Sequence, residues 1–384
     1  MKIIYVTTAQ EEKDYRSFMK LWKISLNASN QNFHNKLIRA LSLDNQVDVI
    51  SIRPFSRHNL KIKKLVSETK NEENITWHYL KRSGNRIIRN INLTGEMNKA
   101  FSSIDTKEAI ILVDTINPSL LRQVLKINKK YHLSIMGICT DSPSNISKTN
   151  RSYTLYILDK TKDFDGYIAL TDGLKDLYNP NNKPSYIFEG LVEERKFSKH
   201  EEDKKPYLFF GGALMERYGV YNLISAFNEL NNSDIDLYIC GHHGDKQKLK
   251  EAFNKNPNIK FLGLLPVNKV MEYEHNALAC INPRPYSEDL DRFSIPSKTL
   301  EYLVSGRPVI SVKNTKLMEK FPKDIIWIKS SDKDDIKEGI NKVLSMTEVQ
   351  RENLGEDAKN RALKLYSLEN IGGSITSFLK QFVR

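Results

Sequence analysis

Cysteine is scarce: the 384-residue chain has three, Cys139, Cys240 and Cys280. Each sits in an apolar, strand-like run. Their number is odd and no metal-ligand spacing surrounds them, so buried inert thiols are expected rather than disulfides or zinc. Long apolar runs are missing too. None approaches the roughly 18 to 20 residues of a membrane-spanning helix. The start, Met1-Lys-Ile-Ile-Tyr-Val-Thr7, has no long apolar core and no small-residue cleavage site. It reads as a first strand, and a cytoplasmic protein is expected. Several catalytic signatures are absent: no nucleophile elbow, no Ser-His-Asp order, no P-loop, no G-x-G-x-x-G after a strand. Hydride chemistry and nucleoside triphosphate hydrolysis lose ground accordingly. Asp289-Leu-Asp291 has an Asp-x-Asp spacing but lies beside another motif, so no metal is expected. There is no solenoid repeat and no low-complexity segment.

What is present is a globular composition with a strong charge bias. Lys and Arg total 59 against 47 Asp and Glu, a formal net charge of +12. Nucleic acid, an anionic membrane surface and phosphorylated substrates are the partner classes that fit such a balance. The basic residues are scattered, with modest clusters at Lys61-Ile-Lys-Lys64 and Lys81-Arg82. No nucleic-acid motif with interleaved aromatics accompanies them, so no nucleic-acid partner is expected. A compositional bias toward lysine is the competing explanation of the charge.

Strand-like and helix-like patterns alternate throughout. In the first half, Lys2–Thr7, Val47–Ile52, Ile75–Leu80, Ala109–Val113, Ser134–Thr140, Tyr167–Leu170 and Ser185–Phe188 read as strands. Phe33, Leu37 and Leu41 mark a helix by their four-residue spacing. Asn117-Pro118 marks another by its cap and first-turn proline. Glu193 to Pro206 is nearly all polar and charged, the composition of an exposed linker. The alternation then restarts, with strands at Pro206–Phe210, Asp236–Cys240, Ile259–Leu262, Leu278–Asn282, Pro308–Val312 and Ile325–Ile328. Strict alternation predicts parallel sheets covered on both faces. The expected architecture is α/β, with two Rossmann-like domains facing a cleft. The domains span 1–192 and 207–365, joined by a linker at 193–206. Helices at 366–384 close the chain and are placed against the first domain.

The richest stretch runs from Phe293 to Ile310 (FSIPSKTLEYLVSGRPVI). It reads as a loop, a helix opened by Pro296, a stop at Gly306 and a buried strand. The first amides of such a helix, those of Ser297, Lys298 and Thr299, make an anion site with the helix dipole. Lys298 puts a cation in the first turn, where the dipole disfavours one, and a bound anion would relieve that conflict. Glu301 shares a face with Ser297. Phosphate donors and a carboxylate on one turn suit a nucleoside diphosphate. The alternative is a capped helix with a solvated Lys and Glu. Phe210-Gly-Gly-Ala-Leu-Met-Glu-Arg-Tyr-Gly219 follows the first strand of the second half. Gly211 and Gly212 would permit positive φ and close approach, and Arg217 could reach a phosphate. Cys240-Gly241 ends the next strand, where backbone contacts could hold a nucleobase. His242 and His243 read as exposed loop histidines. In the first half Asp141 and Asp114 sit at carboxyl ends of strands, where each is either a site residue or a turn residue. Asn27 to His34 (NASNQNFH) reads as a polar loop entering a helix, with Asn32 and His34 on an acceptor-side surface.

In this order, these features resemble the donor half of a retaining GT-B glycosyltransferase. The closest likeness is to the large family 4-like group that includes sucrose-synthase-like and bacterial capsule and exopolysaccharide transferases. The residues carrying it are Gly212, Arg217 and Gly219, Cys240-Gly241, Phe261-Leu-Gly263, Ile281-Asn-Pro283, Ser297-Lys298, Glu301 and Gly306-Arg-Pro-Val-Ile310. The chain departs from the family in having Ala213 where arginine is usual. It also has Phe293 where a first glutamate, separated from Glu301 by seven residues, is usual. The resemblance implies transfer with retention from a nucleotide sugar, UDP being the expected carrier, and no cofactor. Acceptors would be a surface polysaccharide, a glycolipid or a glycoprotein, with peripheral contact at an anionic membrane face. Gly212, Arg217, Gly241, Ser297, Lys298, Thr299 and Glu301 would bind the donor, and Asp141 would act at the reacting end. A non-catalytic GT-B subunit and a nucleotide-sugar 2-epimerase are the alternative readings.

Overall fold

The computed structural model describes residues 1–22, 28–53, 64–83, 86–146, 150–194, 205–242 and 244–383. Most of the expected linker, the Lys61–Lys63 part of one basic cluster, and His243 lie outside them. The chain forms two compact units. One comprises Met1–Leu191, Arg292–Ser294 and Leu368–Arg384, the other Val192–Asp291 and Ile295–Ser367.

Among the described residues, the first unit holds ten strands: β1 (Lys2–Thr7), β2 (Gln46–Ser51), β3 (Lys64–Leu65), β4 (Glu68–Glu72), β5 (Ile75–Tyr79), β6 (Arg82–Ser83), β7 (Ala109–Asp114), β8 (Ser134–Cys139), β9 (Gly166–Ala169) and β10 (Ser185–Ile187). Eight of them form one sheet in the order β10-β9-β8-β7-β1-β2-β5-β4. β7 and β8 are buried along their whole length, as strands covered on both faces must be. All pairs in this sheet are parallel except β4 with β5. β4 (ETKNE) has no apolar alternation and is missing from the sequence reading. A two-residue turn forces it into place: Glu73 adopts φ +41°, and Glu72 pairs with Ile75.

The helix Ala28–Ser42 corrects the reading of the stretch up to His34 as a loop, from residue 28 onward. Gln31, His34, Leu37, Ile38 and Leu41 are all buried, so one continuous helical face extends back through polar residues. Gln31 compensates for its burial by bonding the backbone of Gln10 in both directions, at 2.9 and 2.5 Å. This helix receives the chain's last long helix, Leu368–Leu379. A Cβ on Gly372 would come within 2.2 Å of the Ala40 carbonyl oxygen, so the two backbones touch. Asn45 Nδ2 donates to Thr376 Oγ1 at 2.8 Å beside them.

The second unit is a six-stranded sheet of β11 (Tyr207–Ala213), β12 (Asp236–His242), β13 (Ile259–Gly263), β14 (Ala279–Asn282), β15 (Val309–Val312) and β16 (Ile326–Ile328). Its order is β13-β12-β11-β14-β15-β16 and every pair is parallel. The strand order reverses between β11 and β14, where open α/β sheets bind ligands beyond the carboxyl ends. β11 runs three residues past its expected end, so Gly211 and Gly212 are strand residues. Their φ values are not positive; positive φ falls at Gly219 and Gly241 instead.

Because the Gly372 contact leaves no room for a side chain, Gly372→Ala should destabilise the protein by about 1–3 kcal/mol. Denaturant unfolding of the variant against the parent chain checks this, and an unchanged midpoint would contradict the packing.

Candidate donor and acceptor sites

The sequence fixes the donor side through one short helix, Ser297–Leu303. Pro296 caps it from outside rather than occupying its first turn. Thr299 and Tyr302 face inward. Thr299 is fully buried; its Oγ1 accepts from Asn282 Nδ2 at 2.7 Å and lies 3.3 Å from Ser311 Oγ. Its amide donates to the Pro296 carbonyl at 2.9 Å. This corrects the expected role of Thr299: neither its amide nor its hydroxyl is offered to a ligand. Tyr302 does similar work on β11. β14 pairs with β11 only as far as Phe209, and beyond that point Gly211 has a tyrosine for a partner. Gly211 N donates to the Tyr302 hydroxyl at 2.9 Å, and that hydroxyl donates to the Gly211 carbonyl at 3.2 Å. Burial, with buried Glu274 and other charges nearby, pushes the Tyr302 pKa well up, so the phenol stays neutral.

Ser297, Lys298 and Glu301 remain on the outer side. Ser297 is exposed. Lys298 Nζ donates to Glu301 Oε2 at 2.6 Å, with side chains 40% and 28% exposed. The expected conflict between Lys298 and the helix dipole is therefore already relieved from within by Glu301. Desolvation pulls the Lys298 pKa down, but the attraction of Glu301 and Glu274 outweighs it and the net shift is upward. Lys298 accordingly keeps its charge at neutral pH. Glu274, buried on the helix Val267–His275, has no signal in sequence spacing that would assign it to this cluster.

The Gly-rich turn completes this edge. Gly241 has φ +150°, and a Cβ there would come within 1.7 Å of the Gly212 carbonyl oxygen. Gly219 has φ +77°, and a Cβ there would lie 2.1 Å from the Pro283 oxygen. The two glycines bring β12 and the β11 turn against β11 and the end of β14. Arg217 is exposed on a 3-10 turn, its guanidinium 5.1 Å from the centre of the Tyr218 ring. Gly212, Arg217, Gly241 and the Ser297 helix thus gather around the reversal of strand order. Asp291, on the short helix Glu288–Phe293, accepts through Oδ1 from Asn314 Nδ2 at 2.5 Å and from Thr315 N at 3.1 Å, so it ties that helix to the helix Thr315–Lys320. Phe293 is grouped with the first unit and packs against its core.

In the first unit the strand order reverses between β1 and β7, and buried polar groups collect there. Tyr5 Oη lies 2.6 Å from His34 Nδ1, and His34 Nε2 lies 3.3 Å from Asp114 Oδ2. Asp114 also accepts from Ile116 N at 3.1 Å. His34 is fully buried, which corrects its placement on a surface; the helix turns it inward beneath the strand ends. Asn32, two residues earlier, is half-buried. Asp141 follows β8 as placed from sequence. Its Oδ1 accepts from Ser142 N at 2.7 Å and Asn145 Nδ2 at 3.2 Å, the geometry of a turn residue. Tyr153 senses both Asp114 and Asp141: burial, then these two carboxylates, push its pKa up to about 12. The three cysteines are buried, and burial raises their pKa values.

Residues 192–361 match the sequence profile of the family described as Glycosyl transferases group 1. Fold and match together define the class, a glycosyltransferase of GT-B architecture. The matched span covers less than half of the chain and nearly coincides with the second unit. The whole chain is similar in fold to sucrose-phosphate synthase from Thermosynechococcus elongatus, with TM-score 0.68, 12% identity and 99% of each chain covered. A trehalose-6-phosphate structure from E. coli bound with UDP-2-fluoro glucose is similar at TM-score 0.68 and 10% identity, again over 99% of each chain. Anabaena Alr3699/HepE in complex with UDP is similar at TM-score 0.67 and 12% identity, over 99% of this chain and 100% of that one. No curated protein matches the chain by sequence.

Removing the Tyr302 hydroxyl leaves the Gly211 N–H and C=O buried without their partner. Tyr302→Phe should therefore cost about 1–3 kcal/mol of stability and loosen the donor helix. Thermal unfolding measures the first effect, and stability equal to the parent chain would remove Tyr302 from this role.

Proposed function

We propose that the protein transfers a sugar, with retention at the anomeric carbon, from a nucleotide sugar to a polysaccharide, glycolipid or glycoprotein acceptor. The observation that carries this is the exposed Ser297-Lys298 start of a helix bonded to three strands at the reversal of strand order. UDP is the proposed carrier, supported by the solved structures of similar fold that hold UDP or a UDP-sugar analogue. On donor binding, Lys298, Arg217 and the amides of Ser297 and Lys298 face the diphosphate. Glu301 accepts from the ribose hydroxyls. The bond between the anomeric carbon and phosphate oxygen breaks and the acceptor oxygen bonds that carbon on the same face. The departing phosphate oxygen keeps the electron pair and takes up the acceptor's proton, so no separate base is required. Asp141, in the first unit, orients the acceptor or the sugar. No described helix is long and apolar enough to cross a membrane. A lipid-linked acceptor would be reached from the surface of an anionic leaflet, and cytoplasmic action at that surface is part of the proposal.

A second reading has one specific observation in its favour. Phe293, at the place where the family resemblance expects a carboxylate, is partly buried against an apolar core. An inert subunit would tolerate that. Nucleotide release from a panel of nucleotide sugars, with membrane extract as acceptor, separates the readings, and no release with any donor favours the inert subunit.

For the enzyme, Lys298→Ala should weaken UDP binding in calorimetry roughly 10- to 150-fold, the worth of one charge-assisted bond of about 1.5–3 kcal/mol. Asp141→Ala should leave UDP affinity nearly unchanged yet slow transfer at least tenfold, because it meets only the reacting end. Equal transfer rates would remove Asp141 from the site.

Because Asp291 is engaged at the Thr315 helix, transfer is expected to persist in chelator. Activity lost in EDTA and restored by Mn²⁺ would instead make Asp289 and Asp291 metal ligands.

A further inference from the structure

The first sheet has ligand-sized space at the end that transfer does not use. β1, β2, β5 and β7 run parallel, so the loops that precede them gather at one edge. A cavity of about 510 Å³ lies there, with Lys2, Leu43, Asp44, Asn45, Lys107 and Glu108 in its wall. Its size is that of a small-molecule site. The donor and acceptor groups described above stand at carboxyl ends of strands, so this amino-end cavity is separate from them.

Asn45 supplies the first requirement for a ligand. It is 5% exposed. Its Nδ2 donates to the Leu41 carbonyl and to Thr376 Oγ1, both at 2.8 Å. A carbonyl oxygen can only accept, so the Leu41 bond fixes which end of the amide is which. Both N–H groups are thereby used. Among the described residues Oδ1 has no hydrogen-bond partner. A buried acceptor without a donor carries its full desolvation cost, and a ligand N–H would remove it.

Charge supplies the second. Asp44 and Glu108 are exposed in the cavity wall, and neither has an ion pair or side-chain hydrogen bond among the described residues. Glu108 is held at φ +55°, where glycine or asparagine fits with less strain, so a carboxylate stands there at a conformational cost. The wall's third carboxylate, Asp105, is paired with Lys2. Lys107 is the remaining cation, exposed on a long stem that can turn to water. In a chain of net charge +12 this edge thus offers two uncommitted carboxylates and a buried amide oxygen. An ammonium group has three N–H donors and no acceptor, which matches three acceptors, and charge-assisted bonds are the strong ones. An anion would be repelled by the carboxylates. A neutral hydroxylated ligand would make no use of their charge. Leu43, 51% exposed in the same wall, offers apolar cover for a ligand's carbon skeleton.

We infer that this cavity binds an organic cation through a primary ammonium group, held by Asn45 Oδ1 and the carboxylates of Asp44 and Glu108. A polyamine and an amino sugar both carry that group.

The test is calorimetric titration of the full chain with spermidine and with glucosamine, at physiological salt, with glucose as the uncharged comparison. Asp44→Asn with Glu108→Gln alters the wall. Asp357→Asn with Glu338→Gln removes the same charge at exposed positions elsewhere. Matching circular dichroism confirms that both variants fold. The proposal expects saturable binding of one amine per chain, weakened at least tenfold in the wall variant and unchanged in the control. Tighter binding of spermidine identifies a polyamine as the source of the ammonium, and tighter binding of glucosamine an amino sugar. Binding of neither amine overturns the proposal. Equal weakening in both variants overturns it too, because net charge and not this cavity would then hold the amine. So does glucose binding as tightly as glucosamine with spermidine inert, because hydroxyls would then be the recognised groups. Binding is read without donor or acceptor, so its failure leaves the transfer reading untouched.

Discussion

Two buried hydroxyls hold the donor helix where it is. Tyr302 bonds both backbone groups of Gly211, and Thr299 joins Asn282 and Ser311. Through them a helix of under two turns, too short to be stable by itself, is fixed to β11, β14 and β15. The arrangement is sensitive because its members are buried: each unpaired partner would carry its full desolvation cost. The glycines depend on the same alignment. Gly241 and Gly219 press backbone against backbone on either side of β11, so the strand ends meet the helix start at a spacing that no Cβ would permit. What faces solvent, Ser297, Lys298 and Glu301, is presented by parts that have little freedom to move.

The alternation of strands and helices was legible because the central parallel strands, such as β7, β8, β14 and β15, are buried on both faces and read as apolar runs. Strand ends were less legible. β11 and β12 extend through glycine, which has no apolar signal, so their last residues looked like loop. β4 was invisible because it is a polar edge strand, placed by a turn and not by burial. At the site, Ser297, Lys298 and Glu301 could be read from spacing along one helix. Thr299 was misassigned because position in a first turn does not say which side of the helix faces the sheet. Tyr302 and Glu274 were missed for a related reason: their roles come from contacts across tens of residues, and a single sequence has no periodicity that links them.

His34 illustrates the same limit from the other direction. A polar run of Asn, Ser and Gln looks like a solvated loop, yet here it is helical and turns its Gln31 and His34 inward. The cost of burying them is offset by specific hydrogen-bond partners: Gln10 for Gln31, and Tyr5 for the Nδ1 side of His34. The result is a polar centre beneath the strand ends of the first unit, with Tyr153 linking it electrostatically to Asp141. Its evident work is to set the geometry of the β1 and β7 ends.

The way the chain is divided has a consequence for synthesis. The first unit is not finished by its first 191 residues; it needs the Leu368–Leu379 helix, whose Thr376 meets Asn45. A ribosome therefore delivers the whole second unit before the first can close. Until then the groove for that helix, lined by the Ala40 backbone, stays open to solvent. The order of completion is thus written into the topology: the second unit has its last residue, Ser367, before the first unit receives its closing helix, and the unit begun first is completed last.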